Sequence, residues 1–283
     1  MADKAILFDA TKCTGCRGCQ VACKGWNDLE AEETTNRGTI ENPPELSPKT
    51  WLKMTFIEHE DNNAPGELAW LFTRRACMHC TKASCVDICP THALYHHVLG
   101  FVAYDKDKCS GCGYCINNCP FKVPHAPTGG VTTERQIDKC LFCADRVAND
   151  ALAEEKASNA MPACVKSCNP GALRFGDRDE LIALAEARVV ELQGKDNGDR
   201  FPDANLYGKD ELGGLHVMYV LPYKPEVHGL PANPKVPVTT SLLQDILPPI
   251  GLVVVGAAVA GMGFNYFVAR VRANRNKEEK VHG

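Results

Sequence analysis

The sequence opens without an apolar stretch. "MADKAILFDATKC" holds no hydrophobic run of the kind that directs secretion, so no signal peptide is predicted. Net charge is also slight: 31 lysines and arginines stand against 35 aspartates and glutamates, a formal −4. No basic stripe is interleaved with aromatics, which excludes nucleic acid as a partner. No P-loop, dinucleotide fingerprint or nucleophile elbow occurs. These absences leave no catalytic residue to name. With 45% hydrophobic residues among 283, most of the chain should be globular.

Cysteine is the opposite case. Sixteen are present, in four groups: Cys13, Cys16, Cys19, Cys23; Cys77, Cys80, Cys85, Cys89; Cys109, Cys112, Cys115, Cys119; and Cys140, Cys143, Cys164, Cys168. Disulfide frameworks spread their cysteines along small secreted chains, and neighbours this close bridge poorly. Zinc would use two C-x2-C pairs per ion and gives no reason for further cysteines at x2 and x3, followed by proline. "CSGCGYCINNCP" is the C-x2-C-x2-C-x3-C-P run of bacterial-type ferredoxins, whose fourth cysteine ligates the other cluster of a pair. "CMHCTKASCVDICP" widens the middle gap to x4. The first group has Lys24 in place of proline, and the fourth carries 20 residues between Cys143 and Cys164. Sixteen thiolates make four [4Fe–4S] clusters with none left over. No motif position is replaced, so no three-iron cluster is expected.

The motifs pair either in tandem or nested. Cys89 and Cys109 are 20 positions apart, the scale of one two-cluster unit, so motifs two and three are expected to pair and motifs one and four to pair around them. Exchange of fourth cysteines then gives cluster 1 on Cys13, Cys16, Cys19 and Cys168, and cluster 2 on Cys23, Cys140, Cys143 and Cys164. Cluster 3 falls on Cys77, Cys80, Cys85 and Cys119, and cluster 4 on Cys89, Cys109, Cys112 and Cys115. The expected fold is α+β and loop-rich, with two nested bacterial-ferredoxin-like units, 1–50 with 125–180 and 51–124. A helix and proline-rich connection (181–240), a transmembrane helix (241–270) and a basic tail (271–283) follow.

Shorter signals fill in the rest. The alternating run from Trp51 to Glu58, the turn "DNNAPG" and the apolar run after it predict a hairpin. Two short strands are expected around Gly100, and a closing strand in "GALRFG". "DRDELIALAEARVVELQ" predicts a helix with a capping box of Asp177 and Glu180, ended by Gly194. "LPYKPEVHGLPANPKVPV" is expected to be extended. Residues 246–269 are 24 without a charge; at about 1.5 Å per residue that is roughly 36 Å, enough to cross a core of about 30 Å. Arg270, Arg272, Arg275 and Lys277 follow, so the positive-inside rule puts the C-terminus in the cytoplasm and the clusters on the other face. Without its own signal, the protein would be exported folded, on a partner's signal. Gly256 with Ala260, and Ala257 with Gly261, suit close packing against another membrane helix.

Clusters of this kind carry single electrons, and four in one chain make a wire. Each adds about −2, taking the chain from −4 to roughly −12. Lys12, Lys108 and Lys139 directly precede three motifs; with Arg17, Lys24, Lys82, Lys122, Arg146 and Lys166 they would compensate part of that charge. His79, inside "CMHC", is expected to pack and not to ligate. His96 and His97 have no evident metal partners.

The order of the motifs, the x4 gap at Cys80–Cys85 and the long gap at Cys143–Cys164 resemble the four-cluster electron-transfer subunits of molybdopterin oxidoreductases. The C-terminal membrane helix, "ILFDATKCTGCRGCQVACKGWNDL" and "YGKDELGGLHVMYVL" resemble the iron–sulfur (beta) subunit of membrane-bound, periplasm-facing formate dehydrogenase. That resemblance covers nearly the whole chain. It implies a non-catalytic electron-transfer subunit, a catalytic alpha subunit with molybdopterin and molybdenum or tungsten, and a cytochrome b gamma subunit that reduces quinone. It implies nested ligation too, with cluster 1 facing the catalytic subunit and cluster 4 nearest the haem. The subunit would be single-pass in the cell membrane, with its clusters periplasmic. The alternatives are the equivalent subunit of a polysulfide, thiosulfate or dimethyl sulfoxide reductase, or a free polyferredoxin.

Overall fold

The computed structural model describes residues 2–62, 64–127, 136–148, 160–194, 201–237 and 257–270. The chain divides into two compact units after Pro237.

Two wholly buried apolar runs organise the first unit. Strand β1 (Lys4–Asp9) and strand β8 (Val217–Leu221) pair in parallel, Ile6 opposite Val217 and Asp9 opposite Val220. β6 (Leu173–Asp177) flanks β1 and β7 (Asn205–Tyr207) flanks β8, both antiparallel, giving the order β6-β1-β8-β7. Successive side chains of a strand point to opposite faces. Ala5, Leu7, Met218 and Val220 pack on Leu181, Ala185 and Leu192 of a long helix, α6 (Arg178–Gln193). Ile6, Phe8, Val217, Tyr219 and Leu221 face the other way, into a core shared with the cysteine loops. The sheet is thus covered on both sides, as the continuous apolar runs require. Sequence patterning did not reveal β1 or β8, because a buried run without alternation carries no period, nor β7, whose three residues are too few to show one.

The cysteine loops leave the strands in a repeated way. β1 runs into a 3-10 turn, a loop and helix α1 (Gly18–Trp26); Asp9 Oδ1 accepts from the Thr11 N–H at 3.0 Å. β5 (Val102–Tyr104) does the same before helix α3 (Tyr114–Asn117), with Asp105 accepting from the Asp107 N–H at 3.2 Å. In "FDATKC" and "YDKDKC" the aspartate closes the turn that launches each motif. Three more single-turn helices carry cysteines or flank them: α2 (Ser84–Asp87), α4 (Ala144–Val147) and α5 (Ala163–Lys166).

The predicted hairpin is β2 (Lys53–Glu60) with β3 (Leu68–Arg75), antiparallel from Lys53–Arg75 to Glu60–Leu68. The pair around Gly100 is β4 (Leu94–His96) with β5. The closing strand of "GALRFG" is β6.

Two local expectations are corrected. Helix α6 starts where the sequence indicated, but Asp177 makes no side-chain cap. Its carboxylate is taken by Lys4 Nζ at 2.5 Å, an ion pair across the β1–β6 register. The proline-rich connection is not extended throughout. Residues 224–230 curl into successive turns, with Val227 N–H donating to Lys224 and Leu230 N–H to Pro225. Burial of His228 and Leu230 stabilises that turn.

In the second unit, residues 257–270 form a helix. Among the described residues no helix is long and apolar enough to cross a membrane. Residues 241–256 of the expected span, with Gly256, and the tail 271–283 lie outside the described residues.

Candidate functional site

The first C-x2-C of each motif begins with the same backbone feature. The residue two after the first cysteine has a positive φ: Gly15 at 67°, His79 at 49°, Gly111 at 70° and Phe142 at 60°. This left-handed turn folds the N–H back toward the preceding sulfur. Gly15 N–H donates to Cys13 Sγ and Phe142 N–H to Cys140 Sγ, each at 3.5 Å; His79 N–H serves Cys77 likewise. Glycine takes this conformation freely, and at Gly15 a Cβ would also lie 2.9 Å from the Phe72 ring. For His79 and Phe142 the left-handed backbone costs roughly 1–2 kcal/mol each. Their packing offsets it. The two rings meet edge to face at 4.9 Å, Phe142 stacks on Phe101 at 4.7 Å, and His79 Nδ1 bonds Val102 O at 3.1 Å. His79 is therefore a fully buried packing residue.

The loops bring cysteines distant in sequence together. Cys13 is within electrostatic reach of Cys16 and Cys168, and Cys19 of Cys13, Cys164 and Cys168. Cys23, further along α1, meets Cys140, Cys143 and Cys164 instead. Cys80 and Cys85 share Cys77 and Cys119 as neighbours. Cys115 meets Cys89, Cys109 and Cys112, and these four line one cavity with Tyr104 and Ile137.

Burial moves most of these thiols upward: Cys19, Cys115 and Cys143 to about 12 and Cys77 to about 11, with desolvation the chief cause and neighbouring sulfurs adding to it. Thiols so placed cannot ionise together in isolation. A cationic core removes that obstacle, because coordination deprotonates a thiol outright. Cys89 is moved the other way: burial opposes ionisation, but the N–H groups of Leu94, Thr91 and Ala93 and the Thr91 hydroxyl outweigh it. Among the described residues, no three His, Cys, Asp or Glu side chains converge on a single ion. Cys89, Cys109, Cys112 and Cys115 stand around a space between them, which suits a multi-iron body such as a [4Fe–4S] cluster better than a single ion.

Two domain families described as 4Fe-4S dicluster domains match, at residues 12–93 and 68–178. The chain is 39% identical over 280 residues to the formate dehydrogenase-O iron-sulfur subunit of Escherichia coli, spanning 98% of this chain and 86% of that one. It is 37% identical over 285 residues to the formate dehydrogenase, nitrate-inducible, iron-sulfur subunit of the same organism (99% and 90%). To the formate dehydrogenase iron-sulfur subunit of Haemophilus influenzae it is 36% identical (98% and 84%). The chain belongs to the formate dehydrogenase iron–sulfur subunits. It carries four [4Fe–4S] clusters.

Few of the cations expected to compensate those clusters are free to do so. In this iron–sulfur subunit Lys12 pairs with Asp9 at 3.6 Å and Lys108 with Asp105 at 2.8 Å. Arg146 lies over the Trp26 ring at 4.1 Å and donates to Met161 O. Lys139 is different. It is buried, and Nζ donates to Val102 O at 2.9 Å and Cys140 O at 3.0 Å. Sequence reasoning missed Arg74 altogether. It is fully buried on β3, within reach of Cys19, Cys140 and Cys164. An arginine ending an amphipathic strand reads as an exposed residue, and only the packing of the hairpin on the cysteine loops turns it inward.

Proposed function

We propose that this subunit carries electrons from a molybdopterin catalytic subunit, bearing molybdenum or tungsten and oxidising formate, to a cytochrome b subunit that reduces quinone. The ligand sets are Cys13, Cys16, Cys19 and Cys168; Cys23, Cys140, Cys143 and Cys164; Cys77, Cys80, Cys85 and Cys119; and Cys89, Cys109, Cys112 and Cys115. They correspond to nested units at 1–50 with 125–180 and at 51–124. When bound, each cluster supplies storage for one electron.

The observation that carries the reading is how the sets adjoin. Cys19 of the first is within reach of Cys164 of the second. Cys77 of the third reaches Cys140 of the second, and Cys85 reaches Cys115 of the fourth. With this ligation the four sets would form a row. All cysteines of the second set are buried, whereas Cys16 in the first and Cys112 in the fourth are exposed. A row insulated in its middle and open at both ends suits conduction between two partners. The first set would face the catalytic subunit and the fourth the haem.

The uncharged stretch 246–269 would anchor the subunit in the cell membrane by a single span. The basic tail would be cytoplasmic and the clusters periplasmic. In the purified complex, Cys140→Ser should end formate-to-quinone electron transfer while formate oxidation with a soluble dye survives. Quinone reduction at the unsubstituted rate would overturn the reading.

A further inference from the structure

Arg74 poses a physical problem. Its side chain is fully buried, and Nε, Nη1 and Nη2 all lack a nitrogen or oxygen partner. Guanidinium does not deprotonate in a protein, and an uncompensated buried charge is strongly destabilising. Carboxylates do not answer it: among the described residues, no ion pair involves Arg74 or Lys139. What surrounds Arg74 is the Tyr219 hydroxyl and sulfur, with Cys19 of the first set and Cys23, Cys140 and Cys164 of the second all within its reach. The Arg74 carbonyl accepts from Tyr219 Oη at 2.9 Å, which ties β3 to β8 at this point.

Lys139 occupies the next position along the row. Its ammonium is held by Val102 O and by Cys140 O of the second set, and it reaches Cys77, Cys85 and Cys119 of the third. The other buried long-chain cations are placed otherwise: Lys53 pairs with Glu41 at 2.7 Å, and Arg146 covers Trp26. No buried lysine or arginine among the described residues stands between the third set and the fourth.

We propose that Arg74 and Lys139 are fixed buried counter-charges at the two inner junctions of the row, Arg74 between the first and second ligand sets and Lys139 between the second and third. There they raise the reduction potentials of the adjoining clusters and screen the repulsion between them. A cation stabilises the more negative, reduced state, and low dielectric makes that effect large. The second set, flanked by both, receives the greatest lift; the fourth receives none. The proposal rests on the ligation put forward above.

The test is a potentiometric titration of the purified complex followed by electron paramagnetic resonance, with Arg74→Met, Arg74→Lys and Lys139→Met beside the unsubstituted protein. Iron and acid-labile sulfide are measured in each. Arg74→Met should lower two of this subunit's four midpoint potentials, each by at least a tenfold change in the reduced-to-oxidised ratio, about 59 mV for one electron. Lys139→Met should also lower two. One cluster should respond to both, one to neither, and Arg74→Lys should stay near the unsubstituted values. Full cluster content with unmoved potentials would overturn the proposal, as would an equal fall of all four. If Arg74→Met does not load its clusters, normal loading and potentials in Arg74→Lys still support the charge role. Failure of Arg74→Lys as well would overturn it for Arg74, leaving Lys139→Met to decide the second junction. Low sulfide in the unsubstituted complex would refute the ligation itself, which separates the two failures.

Discussion

Cys164 and Cys168 are four positions apart on one short segment, yet the proposed ligation gives them to different clusters. Removing them singly and together tests this. Cys168 approaches Cys13 and Cys19, and its sulfur accepts from Leu173 N–H at 3.3 Å as the chain enters β6. Cys164 approaches Cys140 and Cys143. Cys168→Ser should therefore impair one cluster of four, about a quarter of this subunit's iron if that cluster is lost outright. Cys13→Ser should do the same, and the double variant Cys13→Ser with Cys168→Ser should lose no more, because both changes strike one body. Cys164→Ser with Cys168→Ser should affect two clusters and lose about half the iron. This is the additivity test of a double-mutant cycle applied to ligand sets. Iron and sulfide content, with the number of altered resonance signals, is the assay. If the Cys164/Cys168 pair behaves as one unit and the Cys13/Cys168 pair as two, the cysteines are shared by sequence neighbourhood and the row of four sets collapses.

Gly100 has a φ of 90°, and a Cβ there would lie 2.2 Å from His216 Cε1 and 2.9 Å from Asp3 Cγ. Gly100→Ala should cost about 2–4 kcal/mol from backbone strain and overpacking, seen as earlier loss of cluster absorbance on heating; an unchanged transition would show that the loop moves aside. Burial moves His228 down to about 4, with His59 nearby adding to it; Thr73 Oγ1 lies 2.9 Å from its Nδ1. From pH 6.5 toward 4 the unfolded chain takes up a proton that the folded chain refuses, so stability is lost as pH falls, by up to about 3 kcal/mol. His228→Gln should flatten that dependence in denaturant titrations at several pH values, and an equally steep loss in the variant would place its origin elsewhere. Removing residues 241–283 should release the subunit from washed membranes and abolish quinone reduction while dye-linked formate oxidation persists; full quinone reduction without them would make the segment dispensable for coupling.

Residue identity and spacing alone determined the cofactor. Cysteines at x2, x2 and x3 lie on one loop, and such spacing is local chemistry that no distant packing alters. The hairpin of β2 and β3 and the pair around Gly100 were legible for the same reason, since each has a period or a turn that shows within a few residues; helix α6 was legible from the glycine that ends it. The strands β1 and β8 were not, since "AILF" and "VMYVL" are buried on both faces and their partners lie far off in sequence, Lys4 opposite Asp177 and Ile6 opposite Val217. The Asp177 cap failed because a lysine from that remote strand offered its carboxylate a full charge. Left-handed turns at His79 and Phe142 were hidden as well, because the residue type argues against them and only their mutual packing on Phe101 sustains them. The inward turn of Arg74 belongs to the same class. No carboxylate pairs with this guanidinium among the described residues; sulfur gathers beside it instead, and that gathering exists only once loops from four parts of the chain have met.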